Sequence, residues 1–294
     1  MFDHNETLEE ARARNVRDAL FEDIGQADWT SLLVPAGRRV QARVRVRENA
    51  VLCGCDWFNA CMLALDPAAK VQWHYAEGAR MTADTPVCEI AADARALLSA
   101  ERPALNFLQL LSGTATLTRA HADAIAGASP NPRGCVVLDT RKTVPGLRQA
   151  QKYAVRVGGG SNQRLALWHG ILIKENHITA AGGIAPVLRR AADLNAGVEI
   201  QIEVESLAQL LEALAAGATS VLLDNFNLAQ MREAVALNQG VRQGRALLEA
   251  SGGITYEALR DIAATGVDRI SVGKLTKDVT AVDYSMRVLD SLQA

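Results

Sequence analysis

From residue 135 onward the chain repeats one unit, a short apolar run that closes on a polar or charged residue. CVVLDT, GILIKEN, VEIQIEVE, TSVLLDN, RALLEAS and DRISVGK are the runs; helical stretches IAPVLRRAADLN, SLAQLLEALAAG, NLAQMREAVALN and TYEALRDIAATG separate the last five. Alternation at this spacing demands parallel strands joined by helical crossovers, in an α/β barrel or a doubly wound sheet. Asp139, Lys174, Glu203, Asp224, Glu249 and Lys274 fall at or near the ends of successive runs, at intervals of 35, 29, 21, 25 and 25 residues. A barrel brings such ends to one mouth, where barrel enzymes keep their chemistry. The expectation is therefore six ionisable groups around one site.

The first 93 residues follow a different rule. RRVQARVRVREN alternates strictly, with Val40, Ala42, Val44 and Val46 on one face, as in a half-exposed antiparallel sheet. AVLCG, KVQWHYAEG and TPVCEIAAD read as further short strands, and Trp57 to Leu65 as an apolar helix. Residues 94–126 are helical in period, with breaks expected at Pro103 and near Gly113. This stretch reads as a helix linking two domains.

The overall net charge of −2 hides a concentration of cations. Between Asp139 and His177 seven basic residues (Arg141, Lys142, Arg148, Lys152, Arg156, Arg164 and Lys174) face two acidic ones, so this window carries +5 and the remainder −7. That is a focused anion site within an acidic protein. It excludes the broad basic face with interleaved aromatics that nucleic acid binding requires. Arg148, Lys152 and Arg156 share a helix face and are expected to be solvated there. The opening MFDHNETLEEARARNVRDAL has no apolar core, and no run of eighteen apolar residues follows, which points to a cytosolic protein with no membrane partner. Five cysteines suit neither a disulfide framework nor a zinc site and read as idle thiols.

Two kinds of glycine-rich segment remain. RVGGGSNQR, residues 156–164, reads as permissive backbone that brings its segment close to a pocket and turns Arg164 inward, leaving Arg156 on the helix face with Lys152. SGG at 251–253 and SVG at 271–273 end the last two runs and suit phosphate turns. Glu203 and Asp224 are of the right type to orient sugar hydroxyls, bind a divalent cation or offset positive charge at an anomeric carbon.

DTRKTVPGLRQAQKYAVRVGGG, then NQR, LIKENHI, EVES, LLDNF, LEASGGI and ISVGKLTKDV closely resemble the quinolinate phosphoribosyltransferase family. FEDIG, CG and SAERPALNFLQLLSG extend the likeness through the first domain, so it covers nearly the whole chain in order. The resemblance implies an N-terminal α/β sandwich over residues 1–115, which residues 280–294 would join, and an incomplete, seven-stranded α/β barrel over residues 116–279. It implies a pentosyltransferase that joins quinolinate to phosphoribosyl pyrophosphate with decarboxylation, releasing nicotinate mononucleotide, pyrophosphate and CO₂ for NAD biosynthesis. It further implies Mg²⁺, no organic cofactor, and a homodimer, or an assembly of dimers, with a shared active site. Carried over by motif, Arg102 reaches the neighbouring subunit's pocket. Arg141, Lys142, Gln163, Arg164 and Lys174 grip carboxylates and phosphates. Glu203 and Asp224 handle the ribose and the metal, directly or through water or substrate, while Ser251, Gly252, Gly253 and Gly273 hold the 5-phosphate. Lys142, Lys174, Glu203 and Asp224 form the catalytic set.

Three positions depart from the family's pattern. Glutamine stands at 163 where the family usually has histidine, histidine at 169 where it has aspartate, and glutamine at 201 where an acid is expected. Gln163 donates a hydrogen bond but carries no charge at any pH. His169 suits a surface position or one behind the pocket. Rival readings are a barrel lyase with Lys174 or Lys274 as Schiff-base nucleophile, a phosphoribosyltransferase for a pyridine monocarboxylate, and a non-catalytic paralogue.

Overall fold

A computed structural model describes residues 4–241 and 245–291. These fall into two compact units. One runs to Arg119 and takes in Thr143–Gly159 and the chain from Leu275; the other comprises Ala120–Lys142 and Gly160–Lys274.

The first unit is an α/β sandwich. Its main sheet has the order β12 (Tyr284–Ser291), β1 (Arg39–Val46), β5 (Pro86–Asp93), β3 (Lys70–Trp73), with every neighbour antiparallel. Strands β2 (Ala50–Val51) and β4 (Arg80–Met81) form a separate antiparallel pair. The alternation in β1 buries Val40, Ala42, Val44 and Val46, as their period-two spacing predicts. They join a core with Trp57 and Phe58 of α2 (Cys55–Leu65) and Leu97, Leu105, Leu108 and Leu111 of α3 (Ala94–Ile125). Helix α1 (Leu8–Ile24) starts on a Thr7/Glu10 capping box. At α2 the orphan N–H groups of Gly54 and Cys55 donate to Glu77, at 2.8 and 3.2 Å. Glu77 also accepts from the Tyr153 hydroxyl at 3.1 Å.

The expected breaks in the long helix do not occur, since α3 runs through Pro103 and Gly113 for 32 residues. Gly113 is needed for close packing instead. A Cβ there would lie 2.1 Å from the Thr280 carbonyl oxygen. The expected boundary at residue 116 falls within α3, and residues 143–159 return to the first unit. Helix α4 (Arg148–Val157) ends on Gly158, where a Cβ would stand 2.5 Å from the Ala115 carbonyl oxygen on α3. Buried Gln151 then fastens two excursions together, accepting from Val144 N and donating to Thr276 O, both at 2.8 Å. Lys152 is 1% exposed, so it is not on the solvated face expected of it. Arg156 does stay exposed, with its guanidinium over the Tyr153 ring.

The second unit is a parallel sheet ordered β6 (Val136–Leu138), β11 (Arg269–Ser271), β10 (Leu247–Ser251), β9 (Ser220–Asp224), β8 (Glu199–Val204), β7 (Gly170–Ile173). Helices α5 (Glu175–Ala181) and α6 (Ile184–Asp193) join β7 to β8. Helix α7 (Leu207–Ala215) precedes β9, α8 (Leu228–Gln239) precedes β10, α9 (Leu259–Ala263) precedes β11 and α10 (Lys274–Lys277) follows it. The serine of EVES is an N-cap, with Ser206 Oγ accepting from Gln209 N at 3.2 Å. Six strands, not seven, make the sheet among the described residues. Ser161 contributes only an isolated parallel bridge to Leu138. Asp139 explains why the pairing stops there: its carboxylate takes the Gln163 N–H at 2.9 Å and the Asn162 amide at 2.6 Å.

Gly113→Ala sets two effects against each other. Helix propensity favours alanine by about 1 kcal/mol, whereas the new methyl group must displace the backbone at Thr280. We expect the clash to prevail, with a net loss of about 1–3 kcal/mol in denaturant unfolding. Unchanged or raised stability would refute the close approach.

Candidate active site

The register of the parallel sheet assembles the site. Ile173 pairs with Ile202, so the next residues, Lys174 and Glu203, emerge side by side. Lys174 Nζ lies 2.7 Å from Glu203 Oε2, the lysine half-exposed and the carboxylate largely covered. Asp224 pairs directly with Ser251, which opens the SGG turn. Ser271 pairs with Leu138, so the SVG turn stands beside the DTRK segment. There the Lys142 side chain lies across Gly273, whose absent Cβ would be 3.3 Å from Lys142 Cδ. Register alone thus places Lys142, Lys174, Glu203, Asp224, Ser251, Gly252, Gly253 and Gly273 at the strand-end edge of one sheet.

The glycines there answer to two different needs. Gly252 has φ +97° and no room for a side chain: its Cβ would meet Asn225 Oδ1 at 2.2 Å. Asn225, itself at φ +57°, donates to Asp224 Oδ2 at 2.8 Å and its N–H to Ser251 O at 3.0 Å. Gly252 therefore lets two strand-end loops touch and orients the Asp224 carboxylate. Gly253, at φ +56°, has open space around it and leaves its backbone accessible.

Not every expected member stands at the mouth. Glu249 is in mid-strand and wholly buried, accepting from Gln201 Nε2 at 2.8 Å and from the Ser271 hydroxyl. Burial raises its pKa, against the lowering effect of those two hydrogen bonds. Asp139 is likewise buried and holds the 160s segment. The strand-end ring is therefore smaller than six. Lys274, at the start of α10, is exposed.

Gln163 and Arg164 line a cavity of about 470 Å³ together with Gly170, Glu199 and Arg269, which begin their strands. Arg164 Nη1 donates to Gly170 O at 2.9 Å. Burial lowers the Arg164 pKa and repulsion from Arg141 adds to the shift, so the two guanidiniums share one field. His169 is exposed on the same loop and accepts from Leu165 N at 3.1 Å. Arg102 is an exposed residue of α3, beside Glu101 at 4.0 Å. The GGG run owes its composition to Gly158 on α3 and to Gly159 at φ +90°, packed on the Arg119 guanidinium; its first requirement is helix packing. Among residues not expected at the site, Asn225 and Gln201 hold site groups, and Gln201 had signalled itself only as a glutamine in an acid's place.

Parallel strand ends carrying cations, two carboxylates and bare glycine turns define an α/β enzyme of anionic, phosphate-bearing substrates. The models of the quinolinate phosphoribosyl transferase N-terminal and C-terminal domains match residues 28–112 and 114–287. The chain belongs to the quinolinate phosphoribosyltransferase family. It is 40% identical over 284 residues to a nicotinate-nucleotide pyrophosphorylase [carboxylating] of Mycobacterium leprae, covering 94% of this chain and 97% of that one. A probable counterpart from Bacillus subtilis is 38% identical, covering 91% and 90%. The solved nicotinate-nucleotide pyrophosphorylase from Francisella tularensis superposes with TM-score 0.89 at 39% identity, covering 97% of this chain and all of that one.

If Gly252 sets the Asp224 carboxylate, Gly252→Ala should lower kcat/KM about a hundredfold, the scale of an ångström's misplacement. Adding Asn225→Gly should recover part of it by removing the struck side chain. A fully active Gly252→Ala enzyme would contradict the packing of these two loops.

Proposed function

We propose that this chain transfers the phosphoribosyl group of phosphoribosyl pyrophosphate to the nitrogen of quinolinate, with decarboxylation, as a nicotinate-nucleotide pyrophosphorylase of NAD biosynthesis. The observation that carries this reading is a cation set in two parts. Lys142 over Gly273, with the SGG turn at the strand ends, suits phosphates; Arg141 and Arg164, which share one field, suit a dicarboxylate. Two guanidiniums that repel each other gain when a dianion comes between them, and their forked donors match carboxylates bidentately.

In this reading the pyridine nitrogen attacks the anomeric carbon as the C–O bond to pyrophosphate breaks, through an oxocarbenium-like transition state. Glu203 and Asp224 face the developing positive charge. Lys174 holds Glu203 in place, and its remaining N–H groups are directed to substrate. The ribosylated ring nitrogen is cationic and draws in the electron pair left at C2 when the adjacent carboxylate departs as CO₂; C2 then takes a proton. No organic cofactor enters. The described residues contain no cluster of three or more His, Cys, Asp or Glu side chains able to hold a metal. Two carboxylates on adjacent strand ends fit Mg²⁺ held partly by Glu203 or Asp224 and partly by substrate oxygens or water. The metal would supply charge neutralisation of the leaving pyrophosphate.

We read the working form as a homodimer in which Arg102, exposed on α3, serves a second copy's pocket. No helix among the described residues is long and apolar enough to cross a membrane, in keeping with a cytoplasmic enzyme.

Purified protein given quinolinate, phosphoribosyl pyrophosphate and Mg²⁺ should release nicotinate mononucleotide, pyrophosphate and CO₂ in equal amounts. Comparable turnover of nicotinate, or a borohydride-trapped adduct on Lys174 or Lys274, would overturn the reading. Arg141→Ala and Lys174→Ala should each cost at least about a hundredfold in kcat/KM with the fold retained. Near-normal activity in either would remove it from the site. Arg102→Ala mixed with Lys174→Ala should regain activity through hybrid dimers with one intact pocket. Absence of recovery despite proven subunit exchange would exclude a shared site.

A further inference from the structure

Glu249 and Gln201 are buried polar groups for which the reaction above has no use, and they form one end of a hydrogen-bonded chain that ends at the substrate segment. Glu249 Oε2 accepts from Gln201 Nε2 at 2.8 Å, while its Oε1 faces the Ser271 hydroxyl. Gln201, 3% exposed, therefore turns its Oε1 to the next link and accepts from Gln163 Nε2 at 2.7 Å. Gln163 in turn presents its own Oε1 to the Arg164 backbone N–H at 2.6 Å. From the opposite side Asp139 holds the Gln163 N–H at 2.9 Å.

The chain has a direction, and its two ends agree on it. A backbone N–H only donates, so Gln163 must offer it an oxygen. Glu249 Oε2 accepts, so Gln201 must offer it an NH₂ group. Flipping either amide sets oxygen against oxygen or donor against donor, and beside buried Gln201 and Glu249 an unmatched polar group is costly. A proton on Glu249 leaves this unchanged, because it would sit on Oε1 and point to Ser271.

We propose that Glu249 and Gln201 are positioning residues that fix the side-chain orientation of Gln163 and, through it, the path of the Arg164 segment that receives the dicarboxylate. The proposal rests on the assignment of quinolinate to this segment. Glu249 thus acts on substrate affinity from the middle of a strand, without touching substrate.

Glu249→Gln and Glu249→Met separate positioning from bulk. Glutamine keeps an oxygen for Gln201 and turns its NH₂ group to the Ser271 hydroxyl, which can accept; methionine keeps the length and offers no acceptor. Glu249→Met should raise KM for quinolinate about tenfold, with KM for phosphoribosyl pyrophosphate within about twofold and kcat within about threefold. Glu249→Gln should stay within about twofold of wild type throughout. In a Gln163→Met background, Glu249→Met should add nothing further to KM, since the link is already cut. Equal effects of the two Glu249 variants, equal rises in both KM values, or additive effects in the double variant would overturn the proposal.

A second measurement needs neither folding of a variant at Glu249 nor turnover. With ¹⁵N-glutamine labelling, the Gln163 side-chain NH₂, assigned by its loss in Gln163→Met, should exchange with solvent markedly more slowly than exposed glutamines. Exchange at the exposed rate would overturn the chain itself. Wild-type protein with slow exchange but no quinolinate turnover would instead sink the functional reading on which the proposal rests.

Discussion

Parallel pairing of six short strands is the constraint from which the site follows. Once β7, β8, β9 and β10 run the same way in the observed register, Lys174 must emerge beside Glu203, and Asp224 beside Ser251. The pairing of β11 with β6 then puts the SVG turn next to the segment that bears Lys142. None of these neighbours is near another in the chain. Backbone hydrogen bonds deep in the sheet, among apolar residues such as Ile202, Val221, Leu223 and Leu248, set positions that the strand-end side chains inherit.

The buried polar groups beneath the mouth extend that control. Asp139 leaves the end of β6 and, in place of a seventh ladder, its carboxylate holds Asn162 and Gln163. Glu249 holds Gln201, and Gln201 holds Gln163 from the other side. A loop that would otherwise wander is gripped through both its backbone and its side chain. Such a network stiffens a loop only when every member is satisfied, and here both glutamine amides have a donor and an acceptor role already assigned.

Much of this was legible in the residues. The period-two pattern of β1 and the six apolar runs of the second unit appear as strands where they were expected, because burial of one face or of both leaves a pattern that few other structures tolerate. What misled was position within an element. Glu249 reads as a strand-end acid, yet β10 continues to Ser251 and carries the carboxylate inside. Lys152 has the spacing of a solvated face, but α4 buries it with Gln151 and Val155. The GGG run suggested a pocket device, whereas contact with the backbone of α3 is what requires Gly158. Long-range contacts of this kind, like the pairing of β12 with β1 or the capping of α2 by Glu77, have no local signature.

The function turns on where along the parallel sheet the dicarboxylate binds. A crystal structure with quinolinate alone decides it. The prediction is density between the Arg141 and Arg164 guanidiniums, with a carboxylate within hydrogen-bonding distance of each and the ring nitrogen facing the Glu203 and Asp224 edge. Quinolinate seated instead beside Glu199 and Arg269 at the strand starts, out of reach of Lys142 and Lys174, would contradict it.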